Sequence, residues 1–183
     1  GEPVIIVNPG PVTGVNDHST FGYGVRMYIN RVLPPFAWSP ETIKSSVEVR
    51  DAAEGIALAA EKGREGETYL LTGEAQRVRE IFASWEEKPG AMKSRVWLPI
   101  PVALPIFTIL APFQRLLGMP ALLSRETVRT VAMDMYYSSQ KAQRELGWTY
   151  RPAKQIWDEV IEGEIALLEK RKGQNLLQRL KPL

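Results

Sequence analysis

Cysteine is absent from this chain of 183 residues, and histidine occurs once, at His18. Without cysteine there is no disulfide framework, no thiol nucleophile and no cysteine-ligated zinc. A single histidine also argues against a histidine-rich metal site. We therefore predict no metal site, and we expect a reducing, cytoplasmic location.

An excess of charge of one sign is missing as well, because 23 Lys and Arg residues are matched by 21 Asp and Glu residues. The resulting net charge of +2, evenly mixed along the chain, argues against a nucleic-acid partner. Residues 100–113 are uncharged but contain three prolines. The run is too short for a transmembrane helix, and its prolines would interrupt one. We expect it to form core. The alternatives are an apolar wall of a substrate pocket or a peripheral contact with a membrane surface.

Hydrophobic patterning predicts an α/β fold. The apolar run at residues 4–7 is typical of a buried parallel strand, and a second strand is predicted at residues 67–73. Between them we predict a helix capped by Asp51, which forms a capping box with Glu54. Its predicted apolar face consists of Ala53, Ile56, Ala57 and Ala60. Since a central strand rarely begins a domain, we expect the chain to be the C-terminal part of a longer α/β protein.

Further helices are predicted at residues 21–33, 75–87, 124–133, 138–146 and 153–172. The second of these places Val78, Ile81, Phe82 and Trp85 on one face at helical spacing. The last is amphipathic, and its apolar residues are Ile156, Trp157, Val160, Ile161, Ile165 and Leu168. Ser124 is predicted to begin the third, Ser138 or Ser139 the fourth, and Gly147 ends the fourth. The order of elements predicts one βαβ unit with parallel strands, followed by a mostly helical region.

Three strings, in order, resemble one known family: VNPGPVTG, SSVEVRDAAEGIALAAEKGREGETYLLTG and MYYSSQKAQRELGWTYRP. They are similar to the C-terminal half of extended short-chain dehydrogenases/reductases, the NAD-dependent epimerase/dehydratase family. The string LLSRETVR is closest to the dihydroflavonol-reductase-like and hopanoid-associated sugar epimerase branch. The resemblance implies a Rossmann-type sheet, whose last βαβ unit would span residues 1–74. A substrate-binding lobe would follow at residues 75–172, and a basic flexible tail at 173–183.

The resemblance implies a role for the loop after the first strand. In the family this loop contacts the nicotinamide end of NAD or NADP, so Asn8, Pro9, Gly10 and Pro11 are predicted cofactor-binding residues. Glycine in such a turn permits a close approach of the backbone to a ligand. The alternative is an ordinary tight turn. The family's Gly-rich fingerprint and its catalytic Tyr-Lys pair are not found in this sequence, so no catalytic residue is predicted here.

Three basic residues are predicted to bind the substrate. Lys44 and Arg129 resemble the positions at which nucleotide-sugar members of the family bind the substrate diphosphate, and Arg50 is a further candidate anion ligand. Solvated surface charge is the alternative for each. Tyr137 and Lys141 match Tyr-x-x-x-Lys by spacing, but their place before a KAxRELGW-like helix indicates that they are not the catalytic pair.

The sequence therefore predicts the substrate-binding portion of an NAD(P)-dependent enzyme, inactive by itself. The substrate would be a sugar or a lipophilic alcohol or ketone, and epimerase, dehydratase and reductase are not separated. The expected partners are an N-terminal Rossmann half and, in some settings, a second copy. The alternative is a non-catalytic binding or assembly module that dimerises through the open edge of its first strand.

Overall fold

The computed structural model describes residues 4–32, 36–86, 96–116, 124–171 and 173–180. Within these ranges the chain forms eight short strands and eight helices. The strands are β1 (Ile6–Pro9), β2 (Val12–Thr13), β3 (Phe36–Trp38), β4 (Ile43–Lys44), β5 (Val47–Glu48), β6 (Thr68–Leu71), β7 (Gln76–Arg77) and β8 (Val96–Leu98). The helices are α1 (Thr20–Ile29), α2 (Val49–Lys62), α3 (Val78–Glu86), α4 (Ile100–Leu116), α5 (Arg125–Val131), α6 (Gln140–Leu146), α7 (Ala153–Glu169) and α8 (Leu176–Leu180).

The strands pair in twos, and three of the four described pairs are parallel. β1 lies beside β6 from the pair Ile6–Thr68 to the pair Pro9–Leu71. β2 pairs with β5, and β3 with β8. β4 runs antiparallel to β7. The predicted α/β class, with parallel first and second strands and a helix between them, is confirmed.

One helical core joins α1, α3 and α7. The predicted faces of α3 and α7 are buried there, because Ile81, Trp85, Ile156 and Trp157 pack together with Val25 and Tyr28 of α1. The ring of Trp85 lies 5.7 Å from that of Trp157 and 5.3 Å from that of Tyr28. Helical periodicity in α3 and α7 therefore identified the buried side correctly.

A second core lies between α2, β6 and α6, and the predicted face of α2 is wrong. The structure buries Ala52, Gly55 and Ala59, whereas Ile56 is 50% exposed. A Cβ at Gly55 would lie 2.6 Å from a Leu71 methyl carbon. Close approach to β6 thus selects the smallest residues of α2 for the contact and leaves its larger apolar residues facing outward.

The predicted start of α2 is also wrong. Glu48, not Asp51, is the N-cap, and its carboxylate accepts a hydrogen bond from the backbone N–H of Arg50 at 2.6 Å. Asp51 lies in the first turn and accepts hydrogen bonds from Arg151. The Asp51 carboxylate, which the local pattern predicted to cap the helix, therefore binds Arg151, a residue distant in sequence.

The first strand differs from its prediction in place and environment. It spans residues 6–9 rather than 4–7, and Val4 and Ile6 are 58% and 48% exposed. β1 has β6 as its one strand partner in the described part of the chain. The apolar run at its start therefore lacks the second neighbour that a central strand has.

The apolar run forms α4, with Pro105 and Pro112 inside it. Ala103 and Phe107 of α4 are fully buried with Val128 of α5, against β3 and β8, so the expectation of core is confirmed on this side. Ile109 and Phe113 are 66% and 60% exposed on the other side. No helix in the described ranges is long and apolar enough to span a membrane.

Part of the predicted flexible tail is helical. Residues 176–180 form α8, and the buried guanidinium of Arg171 donates a hydrogen bond of 2.9 Å to the carbonyl oxygen of Gln178. An arginine that satisfies backbone acceptors in this way holds the segment against the domain, which the basic composition of the tail did not indicate.

Candidate functional site

A cavity of about 560 Å³ lies beside the segment that follows the carboxyl end of β1, and both residues of β2 line it. Its walls come from α1, β3, α3, α4 and α5, and the segment Pro11–Thr13 closes the side next to the sheet. This volume lies in the range of small-molecule sites, and ligands of parallel α/β folds bind at this end of the strands.

Six aromatic side chains line the cavity. They are Phe21, Phe36, Trp38, Phe82, Trp85 and Phe107. Ring centroids lie 4.7 Å apart for Trp38 and Phe107 and 5.0 Å apart for Phe82 and Trp85, in tilted and edge-to-face arrangements. The indole N–H of Trp38 donates a 3.1 Å hydrogen bond to the carbonyl oxygen of Val128. This bond fixes β3 against α5 and so fixes the wall.

Lys44 is the one predicted substrate-binding residue that lines the cavity. Its Nζ donates hydrogen bonds to the carbonyl oxygens of Thr130 at 2.9 Å and Met133 at 2.5 Å. These carbonyls belong to the C-terminal end of α5, where a cation is favoured by the helix dipole. Burial lowers the pKa of Lys44, and the Asp134 carboxylate partly offsets this effect.

The other two predicted anion ligands lie elsewhere. The Arg50 guanidinium contacts the carboxylates of Glu48 and Glu159, and these hydrogen bonds raise its pKa. Arg129 is exposed on α5 and is not among the described residues that line the cavity. The structure therefore does not bring Lys44, Arg50 and Arg129 together.

An acidic residue contributes to the same cavity. Glu126, in the first turn of α5, is among its lining residues. Hydrogen bonds from its own backbone N–H and from the Ser124 hydroxyl lower the pKa of Glu126. At neutral pH the cavity mouth thus carries a carboxylate.

The predicted cofactor loop borders the cavity through Pro11, while Asn8 and Pro9 are exposed at the carboxyl end of β1. The Gly10 N–H donates to the Leu71 carbonyl at 2.9 Å, and the Pro11 carbonyl accepts from the Val47 N–H at 2.9 Å. A Cβ at Gly10 would lie 2.9 Å from the Ser45 carbonyl oxygen. Packing between neighbouring strands therefore requires glycine here, whether or not a ligand binds.

Tyr137 and Lys141 do not form a catalytic pair in the structure. Tyr137 precedes α6 and is 53% exposed. The Nζ of Lys141 lies 2.5 Å from the Glu67 carboxylate and donates to the Thr68 carbonyl at 3.0 Å. A lysine held by these two acceptors links α6 to the β6 region, and this arrangement agrees with the prediction that the two residues are not the catalytic pair.

A buried ion pair that the sequence patterns did not indicate lies beside the segment leading into the cavity. Arg26 of α1 and Glu164 of α7 are 3.3 Å apart and almost fully buried. Glu164 also accepts the Asn16 N–H at 2.6 Å, and Arg26 donates to the Asp17 carbonyl at 2.7 Å. The partners are 138 residues apart in the sequence, so no local pattern links them.

Comparison with known proteins gives a consistent result. No family model matches the chain. A protein of Synechocystis sp. provisionally named dihydroflavonol 4-reductase is 30% identical over 171 residues, which cover 88% of this chain and 48% of that protein. The fold matches PA4631, a nucleoside-diphosphate-sugar epimerase from Pseudomonas aeruginosa, at 22% identity and a TM-score of 0.68, covering 91% of this chain and 49% of that one.

The chain is related to the NAD-dependent epimerase/dehydratase family. It spans about half the length of the relatives it matches. The fold also matches the Bordetella bronchiseptica enzyme WbmF, solved in complex with NAD+, at 15% identity and a TM-score of 0.63, covering 97% of this chain and 48% of that one. The extended short-chain dehydrogenase/reductase relationship implied by the sequence is thereby confirmed, and the finer branch stays a prediction.

Few groups of the β1 loop are available to contact the nicotinamide end of a dinucleotide. Gly10 N–H and Pro11 C=O are used within the sheet, and proline has no N–H to donate. The exposed side chain of Asn8 and the ring of Pro9 remain for such a contact. The sequence contains no Gly-rich loop for a pyrophosphate.

Proposed function

We propose that this chain is the substrate-binding half of an NAD(P)-dependent oxidoreductase or epimerase of the extended short-chain type. The observation that carries the proposal is the cavity beside the segment that follows the carboxyl end of β1, bordered by the loop at Pro11. A nucleotide-binding half, which this chain does not supply, would complete the site. The Synechocystis relative, as its name describes it, supports a reductase acting on an alcohol or ketone over a sugar epimerase.

The nicotinamide, when bound, supplies or accepts the hydride. The cofactor would thereby interconvert an alcohol and a ketone, with the hydroxyl proton passing to or from a base. We expect the nucleotide-binding half to supply that base. The part of this chain is to hold the reacting carbon near Pro11 and to exclude water with the aromatic wall.

An outward-facing apolar surface offers the contact for the second half. It consists of Val4, Ile6, Val49 and Ile56, which are between 48% and 58% exposed. Ile6 lies on β1 and Val4 just before it, while Val49 and Ile56 lie on α2; β1 and α2 are in contact. We propose that the nucleotide-binding half covers this surface and adds its sheet to the free edge of β1.

Co-expression with the half of the Synechocystis relative that lies outside the match tests this proposal. We expect a stable complex by affinity purification, and an Ile56→Glu substitution should abolish it. Val102→Glu is the matched control, since Val102 is 45% exposed on α4. Equal loss with both variants, or no complex with the unchanged chain, would contradict the proposal.

Assembly of two copies is a second candidate function. The exposed edge of β1, with Val4 and Ile6 beside it, favours edge-to-edge pairing. Sedimentation of the 183-residue chain distinguishes the two. A dimer that Ile6→Lys dissociates and the complementing half does not displace would support assembly, while a monomer argues against it.

A further inference from the structure

We propose that the cavity selects a neutral, lipophilic alcohol or ketone with fused or linked rings rather than a nucleoside diphosphate sugar. The inference deepens the proposed function and rests on it for the reaction. Three properties of the cavity support this substrate class. They are the apolar rings of its wall, the hydrogen bonds already made by the Lys44 ammonium group, and the Glu126 carboxylate.

The wall suits an apolar ring system. Six aromatic side chains line about 560 Å³, and Phe36 and Trp38 both pack against Phe107, whose ring lies 5.7 Å and 4.7 Å from theirs. Ring edges and faces held in this way match flat, apolar ligands. A diphosphate placed against such a wall would lose its hydration without gaining hydrogen bonds.

The cation of the cavity is already engaged. Lys44 is the one Lys or Arg among the described lining residues, and its ammonium group donates to two backbone carbonyl oxygens at the end of α5. Recognition of a diphosphate relies on arginine forks or free ammonium groups. Using Lys44 for that purpose would leave the carbonyls of Thr130 and Met133 without this donor.

The anion of the cavity acts against a diphosphate. Glu126 is its acidic residue among those described, and it balances Lys44 in formal charge. A carboxylate at the mouth repels a doubly charged ligand and leaves a neutral one unaffected. Arg50, which would be needed to reverse this balance, contacts Glu48 and Glu159 instead.

Ligand binding to the complete 183-residue chain tests the inference without a cofactor. N-phenyl-1-naphthylamine is the neutral fluorescent probe, progesterone is the competing tetracyclic ketone, and uridine diphosphate is the polar competitor. We expect probe fluorescence to rise on binding and progesterone to displace the probe. Uridine diphosphate should leave the signal unchanged at concentrations a hundredfold higher.

Two variants locate the binding. Phe21→Glu places a charge in the wall at a residue that is 41% exposed, and it should weaken probe binding at least tenfold. Ile56→Glu is the control at a similar exposure outside the cavity, and it should leave binding unchanged. Circular dichroism confirms folding of both.

Binding of uridine diphosphate in preference to progesterone would overturn the inference, as would failure of both neutral ligands to bind or equal effects of Phe21→Glu and Ile56→Glu. These outcomes are separable from failure of the proposed function. Loss of complex formation with the nucleotide-binding half would contradict the oxidoreductase assignment, while cavity binding by the chain alone would stand.

Discussion

Arg26 and Glu164 form a buried ion pair, with Nη1 and Oε1 3.3 Å apart, between the first helix of the chain and its longest amphipathic helix. Each partner also holds the segment at Asn16 and Asp17 through a backbone group. That segment leads into Ser19 and Phe21, which line the cavity. The pair thus connects the packing of the core to the shape of the candidate site.

Breaking this pair from one side should be costly, because it leaves a buried charge without a partner. We expect Glu164→Ala to lower the free energy of unfolding by about 3–5 kcal/mol in urea denaturation. Glu164→Gln, which retains an acceptor for the Asn16 N–H, should cost less. Glu61→Ala, at an exposed position of α2, should change stability by less than about 0.5 kcal/mol. A loss of stability in Glu61→Ala equal to that in Glu164→Ala would contradict the assignment.

Gly10 should resist substitution for a structural reason. Gly10→Ala would place Cβ 2.9 Å from the Ser45 carbonyl oxygen and 3.0 Å from a Thr72 carbon, and we expect a loss of about 1–3 kcal/mol. Thermal unfolding without any ligand measures it. Gly66 has φ +78° and open space around it, so Gly66→Asn, a residue that tolerates this conformation, serves as the near-neutral control. An unchanged Gly10→Ala would refute the packing explanation.

We expect Lys44 to stabilise the fold rather than to bind an anion. Lys44→Met removes the ammonium group from the Thr130 and Met133 carbonyls, and we expect a loss of about 1–2 kcal/mol in urea denaturation. Binding of the neutral probe should be retained. If the unchanged chain bound uridine diphosphate and Lys44→Met abolished that binding, Lys44 would be a substrate ligand, as its place in the sequence first indicated.

Glu159 should contribute to acid sensitivity. Hydrogen bonds from Gln155 and Arg50, with the nearby Arg151, lower the pKa of Glu159 from its ordinary value of 4.5. A carboxylate with a lowered folded-state pKa stabilises the protein above the unfolded-state value, and this contribution is lost as the pH falls through the folded-state value. Between pH 7 and pH 3 the stability of Glu159→Gln should therefore fall less than that of the unchanged chain. An equal loss of stability in the two proteins over this pH range would contradict the prediction.

The sequence predicted those elements whose buried face is also their most apolar face. The stripes of α3 and α7, the serine that begins α5 and the glycine that ends α6 all follow from local chemistry and are present in the structure. The prediction of the buried face of α2 was wrong because contact with β6 requires a very small residue at Gly55. Hydrophobicity scales do not identify glycine as a buried residue.

The candidate site was predicted only in part, because its walls come from distant segments. Trp38 and Phe107 meet at 4.7 Å, although nothing in either local pattern relates them. The acceptors of Lys44 are backbone carbonyls, and these are present at every residue and so carry no sequence signal. The family resemblance predicted that Pro11 lies at a ligand site, and in the structure Pro11 lines the cavity.

Calorimetric titration of NADPH is the measurement that tests the central claim most directly. The chain alone should show no binding in the micromolar range, because its β1 loop offers only Asn8 and Pro9 as free groups and it lacks a Gly-rich loop. The complex with the complementing half of the Synechocystis relative should bind NADPH with micromolar affinity. Micromolar binding by the chain alone, or a stable complex that binds none, would contradict the account.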